Sequence, residues 1–360
     1  MKFLDLFAGI GGFRLGMESA GHECVGFCEI DKFARKSYKA IHDTKGEIEL
    51  HDITRVTDES IRRIGSVDVI CGGFPCQAFS IAGNRRGFED TRGTLFFEIA
   101  RFASILRPKY LFLENVKGLL NHENGITFET IISTLDELGY NVEWESINSK
   151  NFGVPQNRER VFIIGHLRGE RTRRIFPLGG ENQSTSSQSV VKIGNVNPSG
   201  NGMNGEVYQA DGLAPTLTTN KGEGQKIAIK SNTIKQFGIL QPNFNQCGVV
   251  YETDGIAPTI RAYQGGGLEP KIIQRGHGYN QGGVHEIAPT LTSNSYHENN
   301  HLSFGYRIRK LTPRECWRLQ GFPDWAFDKA QEVNSNSQLY KQAGNSVTIN
   351  VIAAIAKELE

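Results

Sequence analysis

The 360-residue sequence predicts an α/β protein, a Rossmann-like sheet with helices on both faces joined to a smaller, mostly β or irregular domain. Three observations predict it. From Met1 to about Leu167, apolar runs alternate with helix-like segments such as Leu95 to Leu106 and Thr127 to Leu138, the pattern of a parallel sheet covered on both faces. At the amino terminus a strand-like run leads through a glycine turn into a helix. From Arg168 onward the texture changes. Gly179 to Pro198 is rich in Ser, Gln and Asn and reads as a linker. A glycine-rich stretch follows, with short β-like runs at Lys226 to Ile229 and Lys271 to Ile273. Helical periodicity returns over Pro313 to Gln320 and Val347 to Leu359. The expected division is 1–178 with 328–360 as one discontinuous domain, and 179–327 as the other.

The elements follow in order. Lys2 to Leu6 is a strand, Phe7 to Phe13 a glycine-rich turn and Arg14 to Ala20 a helix, which is how a nucleotide-like cofactor meets a helix amino terminus. The Gly-x-Gly-Gly spacing departs from the dinucleotide fingerprint, and a tight turn without ligand is the plain alternative. Val25 to Glu29 reads as a second strand ending in an acid, placed to accept hydrogen bonds from ribose hydroxyls. Turn and acid together point to an adenosine-bearing cofactor.

Val67 to Cys71 reads as a buried strand, after which Gly72 and Gly73 let the backbone turn away and Pro75 stiffens it just before Cys76. A thiol at the carboxyl end of a strand lies where open α/β sheets place their chemistry, and it suits attack on an electron-poor carbon. Most intracellular cysteines are small buried hydrophobes, and Cys24, Cys28, Cys71, Cys247 and Cys316 are assigned that way. Cys24 and Cys28 have no nearby His/Cys pair, so no metal is expected. Tyr110 to Val116 is another strand, carrying Glu114. If adjacent strand ends converge, Glu114 shares a pocket with Cys76, where desolvation raises its pKa and equips it to donate a proton. Gln156 to Arg160, ahead of the strand Val161 to Gly165, would offer hydrogen bonds to a carbonyl oxygen. The polar segment Ala82 to Gly93 reads either as an ordinary surface loop or as a lid with Gly83 and Gly93 as hinges.

Taken together, and with Arg309 to Cys316 and Gln342 to Val347 near the carboxyl end, these blocks resemble the DNA (cytosine-5) methyltransferases of bacterial and phage type. The likeness covers both ends of the chain and leaves out roughly 179–305, apart from a short Thr-Leu-type dipeptide. It implies an S-adenosylmethionine-dependent methyltransferase sheet with a target-recognition domain. By this resemblance Cys76 would add to C6 of a cytosine, and Glu114 would bind the N3 and N4 edge and protonate N3. C5 would take a methyl group from S-adenosyl-L-methionine, and loss of the C5 proton with elimination of Cys76 would release 5-methylcytosine. Arg160 would bind the cytosine O2, with Arg158 close by. The cofactor would lie against Phe7, Gly9, Gly11, Glu29, Ile30, Asp52, Ile53, Pro75 and Leu95, closed by Asn345, Ser346 and Val347. Gln77, Ser80, Arg85 and Arg86 would contact DNA, and the base would leave the duplex before reacting. A transfer-RNA methyltransferase of the same fold, a dinucleotide-dependent oxidoreductase and a DNA-binding protein without catalysis are the alternatives. The separate middle region speaks against the first, the glycine spacing against the second and the paired Cys76 and Glu114 against the third.

The middle region repeats itself. Asp211 to Thr218, Asp254 to Arg261 and His285 to Thr292 share an Ala-Pro-Thr core followed by Leu or Ile, at unequal spacing. The family's recognition regions carry such a dipeptide, so Thr216, Thr259 and Thr290 are all candidate DNA contacts. The three copies make either one scaffold for one target or several DNA-reading elements. The net charge of +1 does not decide for or against DNA, since a basic stripe can sit on a neutral protein. No apolar run spans a bilayer, the start lacks a signal-peptide pattern, and six cysteines suit a reducing compartment. The expectation is a cytoplasmic monomer acting on double-stranded DNA; the sequence leaves open whether there is a cognate restriction endonuclease, with which no stable complex is expected.

Overall fold

The computed structural model describes residues 1–75, 95–178, 189–196, 205–210, 212–217, 226–227 and 311–360, and the backbone of strands within 228–310. Cys76, Gln77, Ser80, Arg85, Arg86, Cys247, Thr259 and Thr290 lie outside the described residues. The chain forms two compact units. The first is Met1–Val190, Gly212–Gly224 and Thr312–Glu360, and the second is Val191–Asp211 and Gln225–Leu311.

The first unit is built on β1 (Lys2–Leu6), α1 (Gly12–Ser19), β2 (Glu23–Cys28), α2 (Lys32–Ile41), β3 (Ile48–Leu50), α3 (Asp58–Arg62), β4 (Val69–Gly73), α4 (Leu95–Leu106), β5 (Tyr110–Val116), α5 (Ile126–Glu137), β6 (Tyr140–Asn148), β7 (Gln156–Asn157) and β8 (Glu159–Leu167). The sheet order is β3-β2-β1-β4-β5-β8-β6. β1 to β5 pair in parallel, and β8 runs antiparallel to both neighbours. Strand order reverses between β1 and β4, the place where open α/β sheets open a crevice at their carboxyl ends. Alternation along each strand divides the core between the two faces. Leu4, Leu6, Ile70, Leu111, Leu113 and Ile163 pack with α3, α4 and α5. Phe3, Val69, Cys71, Tyr110, Phe112 and Ile164 pack with Phe13 and Met17 of α1 and with the end of the chain.

That end supplies α6 (Pro313–Leu319), α7 (Asp324–Val333), α8 (Asn336–Asn345) and α9 (Ile349–Ala356). Val351, Ile352 and Ile355 of α9 complete the second face of the sheet. Thr312 starts α6 with a reciprocal capping box to Glu315. Trp317, fully buried, donates from Nε1 to the Leu339 carbonyl at 3.0 Å and packs edge-on against Phe322 and Phe327. This cluster is why 312–327 joins the sheet unit, although the sequence division assigned it to the middle region. α7 and α8 do not show as apolar periodicity, because each presents only three or four buried residues to that cluster.

A second departure concerns β4. Its glycines do not leave the strand. Gly72 and Gly73 stay in register with Leu113 and Glu114 of β5. They are small because their neighbours are close: a Cβ on Gly73 would sit 2.9 Å from Glu114 Oε2.

In the second unit β9 (Lys192–Asn195), β10 (Glu206–Gln209), β12 (Lys226–Lys230) and β18 (Tyr306–Lys310) form a sheet in the order β18-β12-β10-β9, while β11 (Ala214–Pro215) belongs to the first unit. β13 (Gln236–Ile239) pairs with β14 (Val249–Tyr251), and β15 (Ile272–Gln274) lies between β16 (Gly283–His285) and β17 (Asn300–His301). Among the described residues no helix is long and apolar enough to cross a membrane.

Beneath the first turn lies a buried polar group the sequence did not single out. Asp5 is fully buried; the Tyr38 hydroxyl donates to its Oδ2 at 3.4 Å, and Arg14 lies behind it, held by Glu47 at 2.8 Å. Burial pushes the Asp5 carboxyl up to about 8, against the pull of Arg14 and Tyr38. The folded state therefore holds a proton that the unfolded chain releases near its ordinary value of 3.8, and stability is lost as pH rises from there through about 8. Asp5→Asn should flatten that decline. Urea unfolding of both proteins across this range checks it, and parallel curves would show that Asp5 does not titrate in the fold.

Candidate active site

At the carboxyl end of β1, Phe7, Gly9 and Gly11 all have positive φ, at 55°, 58° and 86°. Gly11 caps α1, and a Cβ there would come within 2.0 Å of His42 Nε2, so both conformation and space demand glycine. A Cβ on Gly9 would meet nothing within 4 Å, so this side of the turn is open. Glu29, just past β2, accepts from the Gly9 N–H at 2.8 Å and from the Asp31 N–H at 2.7 Å, and burial raises its carboxyl pKa. A carboxylate has further lone pairs to offer hydroxyl donors. Ile30 beside it is 67% exposed. Arg35, missed in the sequence, donates to the carbonyls of Glu29 at 2.7 Å and Ile30 at 2.8 Å and so holds this apolar side chain outward. Asp52 caps the turn Ile53–Arg55 through Thr54 and pairs with Arg55 at 3.2 Å. The Ile53 side chain is buried in the core, so what it can offer a ligand is its backbone at the start of that turn. An acid, an exposed aliphatic and an open glycine turn are a donor set that fits an adenosine-bearing cofactor.

The second half of the site is at the ends of β4 and β5. Glu114 Oε1 is 3.0 Å from Arg160 Nε, and both are largely shielded from water. Burial raises the Glu114 pKa; Arg160 and Arg158 pull it the other way. Arg158 is buried, and burial followed by repulsion from Arg160 brings its pKa down to about 9. Its Nη2 donates to the Ser346 carbonyl at 2.8 Å, while Nε and Nη1 find no partner among the described residues. Asn115, next to Glu114, donates from Nδ2 to the Phe74 carbonyl at 2.9 Å and so fixes the chain one residue before the exposed Pro75. Leu95 opens α4, half-buried against the core.

The carboxyl-terminal block closes on the glycine turn. A Cβ on Gly12 would lie 2.8 Å from both Ser346 Oγ and Val347 Cγ2. Ser346 and Val347 are buried and Asn345 is exposed. Gln320 and Thr348 hold the block: Thr348 Oγ1 lies 3.0 Å from Gln320 Oε1 and 2.8 Å from Ser149 Oγ, and Gln320 Nε2 donates to the Ala343 carbonyl at 2.8 Å. Nothing in a sequence marks a buried glutamine as a hub. Thr216 lies in the first unit, where its hydroxyl donates to the Asn157 carbonyl at 2.7 Å. Cys24, Cys28, Cys71 and Cys316 are buried free thiols.

A family model for the C-5 cytosine-specific DNA methylases matches residues 1–360. The chain belongs to that family. The methylase is 35% identical to an orphan methyltransferase of Bacillus phage SPR, covering 100% of this chain and 97% of the relative. It is 37% identical to the type II methyltransferase M.HhaI of Haemophilus parahaemolyticus, covering 99% and 93%. The fold is similar to that of the Dnmt2 methyltransferase of S. pombe, with a TM-score of 0.60 at 19% identity over 98% of this chain and 96% of that one. It is an enzyme of the DNA (cytosine-5) methyltransferase class, and DNA is what such an enzyme acts on.

Because Gly73 leaves so little room, Gly73→Ala should swing the Glu114 carboxylate away from Arg160. We expect single-turnover methylation to slow by roughly 10²-fold, the scale of an ångström-sized misplacement, with little change in thermal unfolding. A wild-type rate would show that the position of this carboxylate does not matter.

Proposed function

We propose that the methylase transfers a methyl group to C5 of a cytosine turned out of a specific duplex sequence, through a covalent bond between Cys76 and C6. The observation that carries this reading is the shielded Glu114–Arg160 pair at 3.0 Å. It lies at the end of β5 beside Gly73, and Cys76 follows three residues later in the sequence. The base must leave the stack to reach such an enclosed group.

Each group has a task. The Cys76 thiolate forms a bond to C6. Burial raises the Glu114 pKa, which favours passage of a proton through this side chain to N3, so that negative charge does not accumulate on the ring. Arg160 donates to O2 and stabilises the polarised base, and the buried Arg158 adds positive charge behind it. C5 becomes nucleophilic as a result. Loss of the C5 proton to solvent water then expels the Cys76 thiolate, and the N3 proton returns to Glu114, which restores both the ring and the enzyme.

The methyl donor that fits the amino-terminal half of the site is S-adenosyl-L-methionine, which when bound supplies an electrophilic methyl group. Glu29 would take the ribose hydroxyls, Ile30 and the Ile53 backbone the adenine ring, and Asp52 its amino group. Phe7, Gly9, Gly11, Pro75 and Leu95 would line the remainder, under Ser346 and Val347. Gln77, Ser80, Arg85 and Arg86 would contact DNA, with Thr259 and Thr290 in recognition elements of the 179–327 region. Methylation by a cytoplasmic enzyme would protect DNA from an endonuclease that cuts the same sequence, a role supported by the type II methyltransferases among its relatives.

DNA carrying 5-fluorocytosine in place of the target base should form a stable adduct with the wild-type protein, because fluorine blocks the final elimination. Cys76→Ser should form none and lose turnover; an adduct surviving in that variant would remove Cys76 as nucleophile. Glu114→Gln should retain DNA affinity and slow methyl transfer by roughly 10²–10⁴-fold, the usual scale for a general acid. A rate within a few-fold of wild type would exclude Glu114 from proton transfer. Bisulfite sequencing of DNA from a methylation-free host expressing the protein reports the target.

A further inference from the structure

The first Ala-Pro-Thr copy has a definite place in the sheet unit. β11 pairs in parallel with β7, Ala214 beside Gln156 and Pro215 beside Asn157. The Ala214 N–H donates to the Pro155 carbonyl at 2.8 Å. Pro215 has no N–H to give; the hydroxyl of the next residue, Thr216, donates to the Asn157 carbonyl at 2.7 Å. Leu213 and Leu217 are buried on either side and anchor the segment.

The Asn157 carbonyl and the Arg158 N–H belong to one planar peptide unit. Its carbonyl accepts from Thr216, and its N–H is shared between the Gln156 carbonyl at 3.1 Å and Asn148 Oδ1 at 3.2 Å. Asn148 also donates from Nδ2 to Asn157 Oδ1 at 2.7 Å, and the Arg158 carbonyl accepts from the Ser149 N–H at 2.9 Å. A peptide held at both its polar ends cannot rotate, and rotation of this one would move the backbone that carries Arg158 and, two residues on, Arg160. Arg158 tolerates little movement, since its buried guanidinium reaches the Ser346 carbonyl at 2.8 Å and its Nε and Nη1 are buried with no partner among the described residues.

We propose that Thr216 is a positioning residue for Arg158 and Arg160: the first repeat copy is a docking strand that locks the Asn157–Arg158 peptide, and its threonine serves the reaction rather than the reading of sequence. This rests on the reading of the two arginines as pocket residues given above. Its consequence differs from that of a DNA contact. Losing a phosphate or base contact weakens DNA binding or alters the target, whereas loosening an arginine that acts in the reaction lowers turnover at every target alike.

The test uses the full chain and two variants, Thr216→Val, which keeps the shape and removes the hydroxyl, and Thr216→Ser, which keeps the hydroxyl. Thr216→Val should lower kcat by roughly tenfold, the scale of one hydrogen bond. KM for duplex DNA and the set of methylated sequences should stay unchanged, and Thr216→Ser should recover most of the rate. Residue-resolved amide exchange, which needs no activity, should show faster exchange at Arg158 in Thr216→Val. If Thr216→Val does not fold, Thr216→Ala, which removes the same hydroxyl, is read by the same criteria. A raised DNA KM or an altered target with kcat intact would assign the hydroxyl to DNA and overturn the proposal, as would unchanged exchange at Arg158. Absence of methylation by the wild-type protein would instead overturn the enzymatic reading, leaving the exchange result to decide the positioning role.

Discussion

The constraint on which this structure depends is the shielding of one carboxylate and two guanidinium groups from water at the end of β5. Burying charge is costly unless the groups are paired and hydrogen-bonded. Glu114 and Arg160 pair at 3.0 Å, and Arg158 spends one nitrogen on the Ser346 carbonyl. Much of the surrounding sequence can be read as provision for this cluster. Gly73 leaves room for the carboxylate, Asn115 fixes the strand end beside it, and a segment from the far end of the chain supplies the carbonyl that Arg158 needs.

That last contact is one of the ties that join the carboxyl-terminal stretch of chain to the sheet unit. α9 completes one face of the sheet and α6 to α8 enclose Trp317. Between them the Gln320, Thr348 and Ser149 bonds hold the block that sits on the glycine turn. The two halves of the site, the turn with Glu29 and the pocket with Glu114, are thus tied together by the carboxyl-terminal block rather than by their own strands alone. Asp5 and Arg14 perform a related service underneath the turn, where a proton-bearing carboxyl and a fully engaged guanidinium replace water in the space between β1, α1 and α2.

Strands β1 and β5 and helix α4 were legible from the sequence with their observed limits, because buried parallel strands are short uninterrupted apolar runs and α4 is apolar on a regular period. The acids Glu29 and Glu114 were legible too, since a carboxylate closing an apolar run is conspicuous. α7 and α8 were not, because their burial comes from one tryptophan cluster and leaves most of each helix polar. Gly72 and Gly73 read as the exit from a strand, yet they continue it; a sequence records that a side chain is absent but not what lies in the space it would fill.

The sequence by itself determined several of the strands and helices, the family and the identity of the acids, arginines and glycines that make a site of this kind, because each of these depends on local pattern or on motifs carried within a few residues. Only the tertiary structure decided which of them meet. Glu114 faces Arg160, Arg158 reaches Ser346, and Thr216 grips Asn157 through contacts spanning from 46 to 188 positions along the chain. Such contacts follow from how the strands are ordered and how the ends of the chain pack across them, and no residue announces its distant partner.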